Sequence, residues 1–183
     1  MNANYYKLVM RLLKIKFGSG LSLQGLPIIY NKKGASINIG RKVTIKSSFL
    51  SNLVGLYSRT IIVARVPGAK IEIGNNVGIS GATIYARKLI VIGENTLIGG
   101  NAKILDNDFH PIEAEDRNAD IKEKIGTSSI IIGKNCFVGC NALILKGTEL
   151  GDGCVVGAGA VVSGKFPPNS VIVGNPGKVI KLL

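Results

Sequence analysis

The chain has no tryptophan, a single histidine and only three cysteines among its 183 residues. One imidazole cannot build a metal centre of several histidines, so no metal is expected, and any acid–base work by imidazole falls to His110. Cys136, Cys140 and Cys154 are odd in number and form no CxxC pair, which excludes a disulfide framework and a zinc site. Acidic residues are missing from the first 71 positions, which carry twelve of the 23 Lys and Arg. From Glu72 onward eleven bases balance eleven acids. The formal net charge of +12 therefore belongs to the first two-fifths of the chain and points to an anionic partner there. No apolar run reaches the ~18 residues of a membrane span. Lys7, Arg11, Lys14 and Lys16 interrupt the N-terminal apolar stretch, against a cleavable signal peptide. The expectation is a one-domain cytoplasmic protein with reduced thiols.

What is abundant is glycine, at 24 residues, and it recurs in step with aliphatic side chains. Ile132, Val138, Ile144, Leu150, Val156 and Val162 are spaced six apart, and Gly133, Gly139, Gly151 and Gly157 follow four of them directly. The same beat occurs at Ile39 and Ile45, at Ile73 and Ile79, and at Ile92, Ile98 and Ile104. Four residues after each aliphatic stands a small or β-branched residue, as in Thr96, Cys136, Ala142, Thr148, Cys154 and Ala160. A period of six is neither helical nor a simple alternating strand. It fits short strands joined by turns, with one aliphatic and one small residue per hexad pointing inward. Three hexads make a triangular coil of eighteen residues, and such coils must stack to bury their apolar faces.

These residues resemble the hexapeptide-repeat acyltransferases over roughly 35–183. The most specific stretches are Ile132–Gly139, Val156–Val162, Pro167-Pro168-Asn169-Ser170-Val171 and Gly174-Asn175-Pro176-Gly177-Lys178. With Asp108-Phe109-His110-Pro111, the chain looks like the maltose/galactoside/xenobiotic acetyltransferase branch and its relatives that O-acetylate surface polysaccharides. The resemblance implies an all-β solenoid, a left-handed parallel β-helix, assembled as a homotrimer with active sites between subunits. The expected organisation is an N-terminal amphipathic cap over 1–20, the β-helix over 21–172 and a C-terminal tail over 173–183.

Two segments depart from the period. Residues 3–16 place Tyr5, Leu8, Val9 and Leu12 on one helical face, with Lys7, Arg11 and Lys14 on another. Such a helix either covers the open first coil or makes a peripheral membrane contact, at the inner face of a membrane. The beat then stops after Ile104 and resumes at Ile132. The interval 106–129 is expected as one long extruded loop, and long loops in compact repeats are usually functional.

His110 lies at the root of that loop. Acetyl transfer to a hydroxyl needs a base, and imidazole, with an ordinary pKa near 6.5, suits that task at neutral pH. Asp108 and Asp106 are the candidates for holding its other ring nitrogen. The resemblance implies that the backbone amide of Cys140 stabilises the oxyanion, that acetyl-CoA is the cosubstrate, and that Phe137, Cys140, Ala158, Ser163, Lys165 and Lys178 line its groove. It also implies acceptor contacts at Asn76 or Ser80. The expected activity is an acetyl-CoA-dependent O-acetyltransferase acting on a saccharide hydroxyl. The alternatives are an N-acyltransferase on a nucleotide- or lipid-linked amino sugar, or a non-catalytic β-helix scaffold. No aromatic-rich basic motif supports nucleic-acid binding.

Overall fold

A computed structural model of the chain describes residues 3–183. Residues 1 and 2 of the segment expected as a cap lie outside the described residues. Helix α1 (Ala3–Leu12) is followed by a coil that winds through three sheets, of seven, eight and six strands, parallel throughout except for the last strand of the second. One circuit shows the plan. Leu89–Ile92 lies in the first sheet, Leu97–Ile98 in the second and Lys103–Leu105 in the third. Each pairs in parallel with the strand one circuit later, so Ile92 faces Ile132, Ile98 faces Val138 and Ile104 faces Ile144.

The six-residue beat therefore supplies one inward aliphatic to each face in turn. Ile92, Ile98, Ile104, Ile132, Val138, Ile144, Val156 and Val162 are all buried. The small column fills the inner corners. Thr148 there donates its hydroxyl to the carbonyls of Leu145 and Val162, at 2.7 and 3.1 Å. Cys136 and Cys154, one circuit apart, are buried in the same corner. The outer corner residues need a left-handed backbone, which asparagine tolerates better than most side chains. Asn76, Asn95 and Asn135 adopt φ of 56°, 57° and 54°. Their amides form a ladder, Asn76 Nδ2 to Asn95 Oδ1 at 3.0 Å and Asn95 Nδ2 to Asn135 Oδ1 at 3.1 Å.

Four departures from the sequence reading stand out. The first strand is Lys16–Phe17, so the coil begins inside the segment expected as a cap. The expected C-terminal tail instead forms a strand, Lys178–Leu182, antiparallel to Ser170–Val173. The loop after Asp106 is partly ordered as helix α2 (Ala114–Asn118) and a 3-10 turn at Lys122–Lys124, closed by a bridge between Asn107 and Thr127. A second excursion, over 47–60, was not anticipated. It leaves the coil between Thr44–Lys46 and Ile61–Ala64. Its root is locked by Ser47 and Thr60: the Thr60 amide donates to Ser47 Oγ, and the Thr60 hydroxyl to the Lys46 carbonyl.

Candidate active site

The loop root around His110 is built from the corner that follows the third sheet. Asp106 is fully buried, and its carboxylate accepts the backbone amides of Arg87 and Lys88 at 2.7 Å and of Leu89 at 3.0 Å. Asn107 Nδ2 donates to it as well. Those bonds hold the corner of the preceding circuit, so Asp106 has no oxygen directed at His110. Asp108 is engaged too: Lys146 Nζ reaches both of its oxygens at 2.7 Å. A Cβ at position 126 would overlap the Asp108 carboxylate, so Gly126 is what lets the two sides of the loop close. Neither expected carboxylate partner of His110 is free within the chain, and Lys146 was missed because nothing in its local sequence links it to the loop.

Phe109 sits at φ 64° and packs against Tyr85 of the third sheet, with ring centroids 4.8 Å apart and the ring planes tilted by 51°. Its amide donates to Asn107 Oδ1 at 2.9 Å, and the His110 amide donates to the Asp108 carbonyl at 2.7 Å. These contacts fix the backbone on both sides of an exposed His110. Its imidazole makes no hydrogen bond among the described residues.

Cys140 lies at the other edge of the third sheet, in the corner that precedes Leu143–Leu145. Its amide and that of Ala158, one circuit on, donate no hydrogen bond among the described residues. A Cβ at position 99 would lie 2.8 Å from the Cys140 nitrogen, and one at 139 would lie 2.6 Å from that of Ala158. The glycines that follow the aliphatic beat thus leave these two donors uncovered. The Cys140 thiol is half-buried. Burial pushes the thiol of neighbouring Cys136 up to about 11, so it stays protonated at neutral pH and serves as core.

A cleft of about 400 Å3 opens on the second sheet, lined among others by Thr44, Lys46, Asn52, Asn76, Ser80 and Phe137. Asn52 comes from the unanticipated excursion and donates to Ser80 Oγ at 3.2 Å. The same excursion is tied down by Asn101, whose side chain bonds the Gly55 carbonyl and the Tyr57 amide, and by the Tyr57 hydroxyl on Asn141. Ser80, Phe137 and Asn76 therefore share one cleft, though the Asn76 amide also belongs to the corner ladder. Lys178 lies on the edge of this second sheet, and Ser163 follows the last strand of the third. Lys165 is elsewhere, on the first sheet, paired with Glu149 at 3.0 Å.

The parallel three-sheet coil and its six-residue beat have a counterpart among known families. The family model for the hexapeptide repeat of succinyl-transferase matches residues 89–105 and 129–163, the circuits on either side of the His110 loop. Over those residues the chain is similar to this repeat family. Over 115 residues the chain is 35% identical to galactoside O-acetyltransferase of Escherichia coli K12, covering 62% of this chain and 55% of that protein. Over 98 residues it is 36% identical to WbbJ of the same organism, a candidate lipopolysaccharide biosynthesis O-acetyl transferase, covering 50% of each. The chain spans about half the length of the curated relatives it matches. A single-residue variant of AntD, an N-acyltransferase from Bacillus cereus solved with dTDP-4-amino-4,6-dideoxyglucose and coenzyme A, shares the fold. Its TM-score is 0.71 at 20% identity, covering 96% of this chain and 88% of that one.

Proposed function

We propose that this protein is an acetyl-CoA-dependent O-acetyltransferase that modifies a saccharide hydroxyl, works as a homotrimer and uses His110 as its general base. The observation that carries the reading is the division of the site across one face. An exposed imidazole on a fixed stretch of backbone stands at one edge of the third sheet, and uncovered amide donors at Cys140 and Ala158 stand at the other. One chain does not join them, but a neighbour docked on that face would. The outward side chains of the third sheet support this, since Tyr30, Tyr85, Leu105, Leu143 and Leu145 make it largely apolar. The coil is read as left-handed, as the family resemblance implies.

In this mechanism His110 accepts the proton of the acceptor hydroxyl as its oxygen attacks the thioester carbonyl. The Cys140 amide donates to the oxyanion that forms, with no reorganisation needed at the moment of reaction. The tetrahedral intermediate collapses with loss of the CoA thiolate, and His110 returns the proton to the sulfur. No bond to the enzyme forms at any stage. Phe137 and Ala158 border the path for the pantetheine arm, Lys178 is the candidate for the nucleotide phosphates, and the cleft with Ser80, Asn52 and Lys46 takes the acceptor. Ser163 borders the third-sheet end of that path, whereas Lys165 lies on another face, paired with Glu149.

The names of the relatives support acetyl transfer to sugar hydroxyls, and AntD keeps N-acylation as the second reading. A free amine needs less help from a base than a hydroxyl does. His110→Ala is expected to lower kcat on a hydroxyl acceptor by about 10²–10⁴-fold, with acetyl-CoA still raising the thermal midpoint. A much smaller loss on an amino sugar would identify the N-acyl reading. Near-full turnover of a hydroxyl acceptor would remove His110 from the mechanism.

A further inference from the structure

Helix α1 carries two apolar stripes rather than one. Met10 is fully buried against the first coil, and Tyr6 packs beside it and donates its hydroxyl to the Pro27 carbonyl. The neighbouring stripe is left in solvent: Tyr5, Leu8 and Leu12 are 57%, 50% and 75% exposed. A helix that has already covered the coil end with one face has no internal use for the other.

The charge around this stripe is of one sign. Beside the end of α1 runs a groove of about 340 Å3, lined by Leu12, Leu13, Lys14, Asn31, Lys32 and Lys33. Asn31 Nδ2 donates to the Leu13 carbonyl at 3.0 Å and pins the helix end to the coil. The groove is thus a fixed feature of the fold. Among the described residues every ion pair lies at or after Glu94. Among the described residues, none of the twelve bases before Glu72 is paired with a carboxylate.

We propose that the N-terminal end of the coil seats on an anionic lipid bilayer. Tyr5, Leu8 and Leu12 dip into the interface, while Lys14, Lys32 and Lys33 take lipid phosphates. The pattern is that of an interfacial helix, in which an apolar stripe and adjacent basic side chains each contribute part of the affinity. Both parts are needed because neither three partly exposed side chains nor three lysines bind durably alone. The proposal does not depend on the acetyl-transfer chemistry.

The test is co-sedimentation of the full chain with vesicles of phosphatidylcholine alone and with 30% phosphatidylglycerol, the latter fraction being about a third of the lipid. Binding is expected only to the anionic vesicles and is expected to weaken with salt. Lys14→Gln/Lys32→Gln/Lys33→Gln should reduce it about 100-fold at about fivefold per lysine. Leu8→Ser/Leu12→Ser, both on exposed positions with no core to disturb, should reduce it about tenfold. Unchanged thermal unfolding of either variant shows that the loss is one of binding. No sedimentation with either vesicle, or equal sedimentation with both, would overturn the proposal. So would a Leu8→Ser/Leu12→Ser variant that binds vesicles normally but has a smaller mass in the ultracentrifuge, because the stripe would then be covered by a second copy.

Discussion

Asp106 and Asp108 are two residues apart and chemically identical, yet their surroundings give them different work. Asp106 is buried with three backbone amides directed at it, and removing such an acceptor leaves each donor without a partner at a cost of about 1 kcal/mol or more apiece. Asp106→Ala is therefore expected to lower the thermal midpoint by about 10 °C, at about 2–4 °C per kcal/mol for a chain of this size. Asp108→Asn, which loses only a partly exposed pair with Lys146, should lower it by about 3 °C or less. An Asp106→Ala protein that unfolds at the normal temperature but turns over slowly would return Asp106 to the catalytic side. The sequence draws attention to both residues because they precede His110 by four and two positions, but it does not divide their roles. The partners of Asp106 lie about twenty residues upstream, and the partner of Asp108 lies 38 residues downstream. Proximity in sequence identified the corner; only the stacking of circuits shows what the corner binds.

The two excursions differ in how plainly they appear in the sequence. The one at 106–129 is polar and acidic and breaks the beat beside the only histidine, so it reads as a loop. The one at 47–60 is apolar: Phe49, Leu50, Leu53 and Tyr57 resemble core residues and are 70%, 79%, 84% and 71% exposed. Its sole sequence signal is arithmetic, since Ile45 and Ile62 are buried in successive faces but are not separated by a multiple of six. The Ser47–Thr60 lock at its root predicts that it can be excised without unravelling the coil. Replacing 49–57 by Gly-Asn should leave the circular dichroism spectrum of the coil intact and the KM for acetyl-CoA within about twofold. The KM for the acceptor should rise by about tenfold or more, because Asn52 and its support of Ser80 are lost, each hydrogen bond contributing about 1 kcal/mol. An unchanged acceptor KM would show that the excursion has no part in the cleft.

At the scale of the whole molecule the repeat was the most legible feature, since the inward column of one residue per hexad is periodic and local. The proposed assembly is not legible in that way: outward aliphatics such as Leu143 and Leu145 occupy strands whose inward residues are equally apolar. Alternation around Ile144 separates them in the structure. Leu143→Asp/Leu145→Asp should convert the proposed trimer into monomers in sedimentation velocity and make activity vanish while the coil stays folded. A wild-type protein that sediments as a monomer at every concentration would remove the neighbour from the site. The last circuit carries a different consequence. A parallel coil is a template for its own extension, since each circuit presents to the next the edge it received from the one before. Here the chain turns back, and Lys178–Leu182 lays a reversed strand on the second sheet. A further parallel circuit would meet a direction it cannot copy there. The reversal thus closes the growing edge of the second sheet, at the end of the coil away from α1.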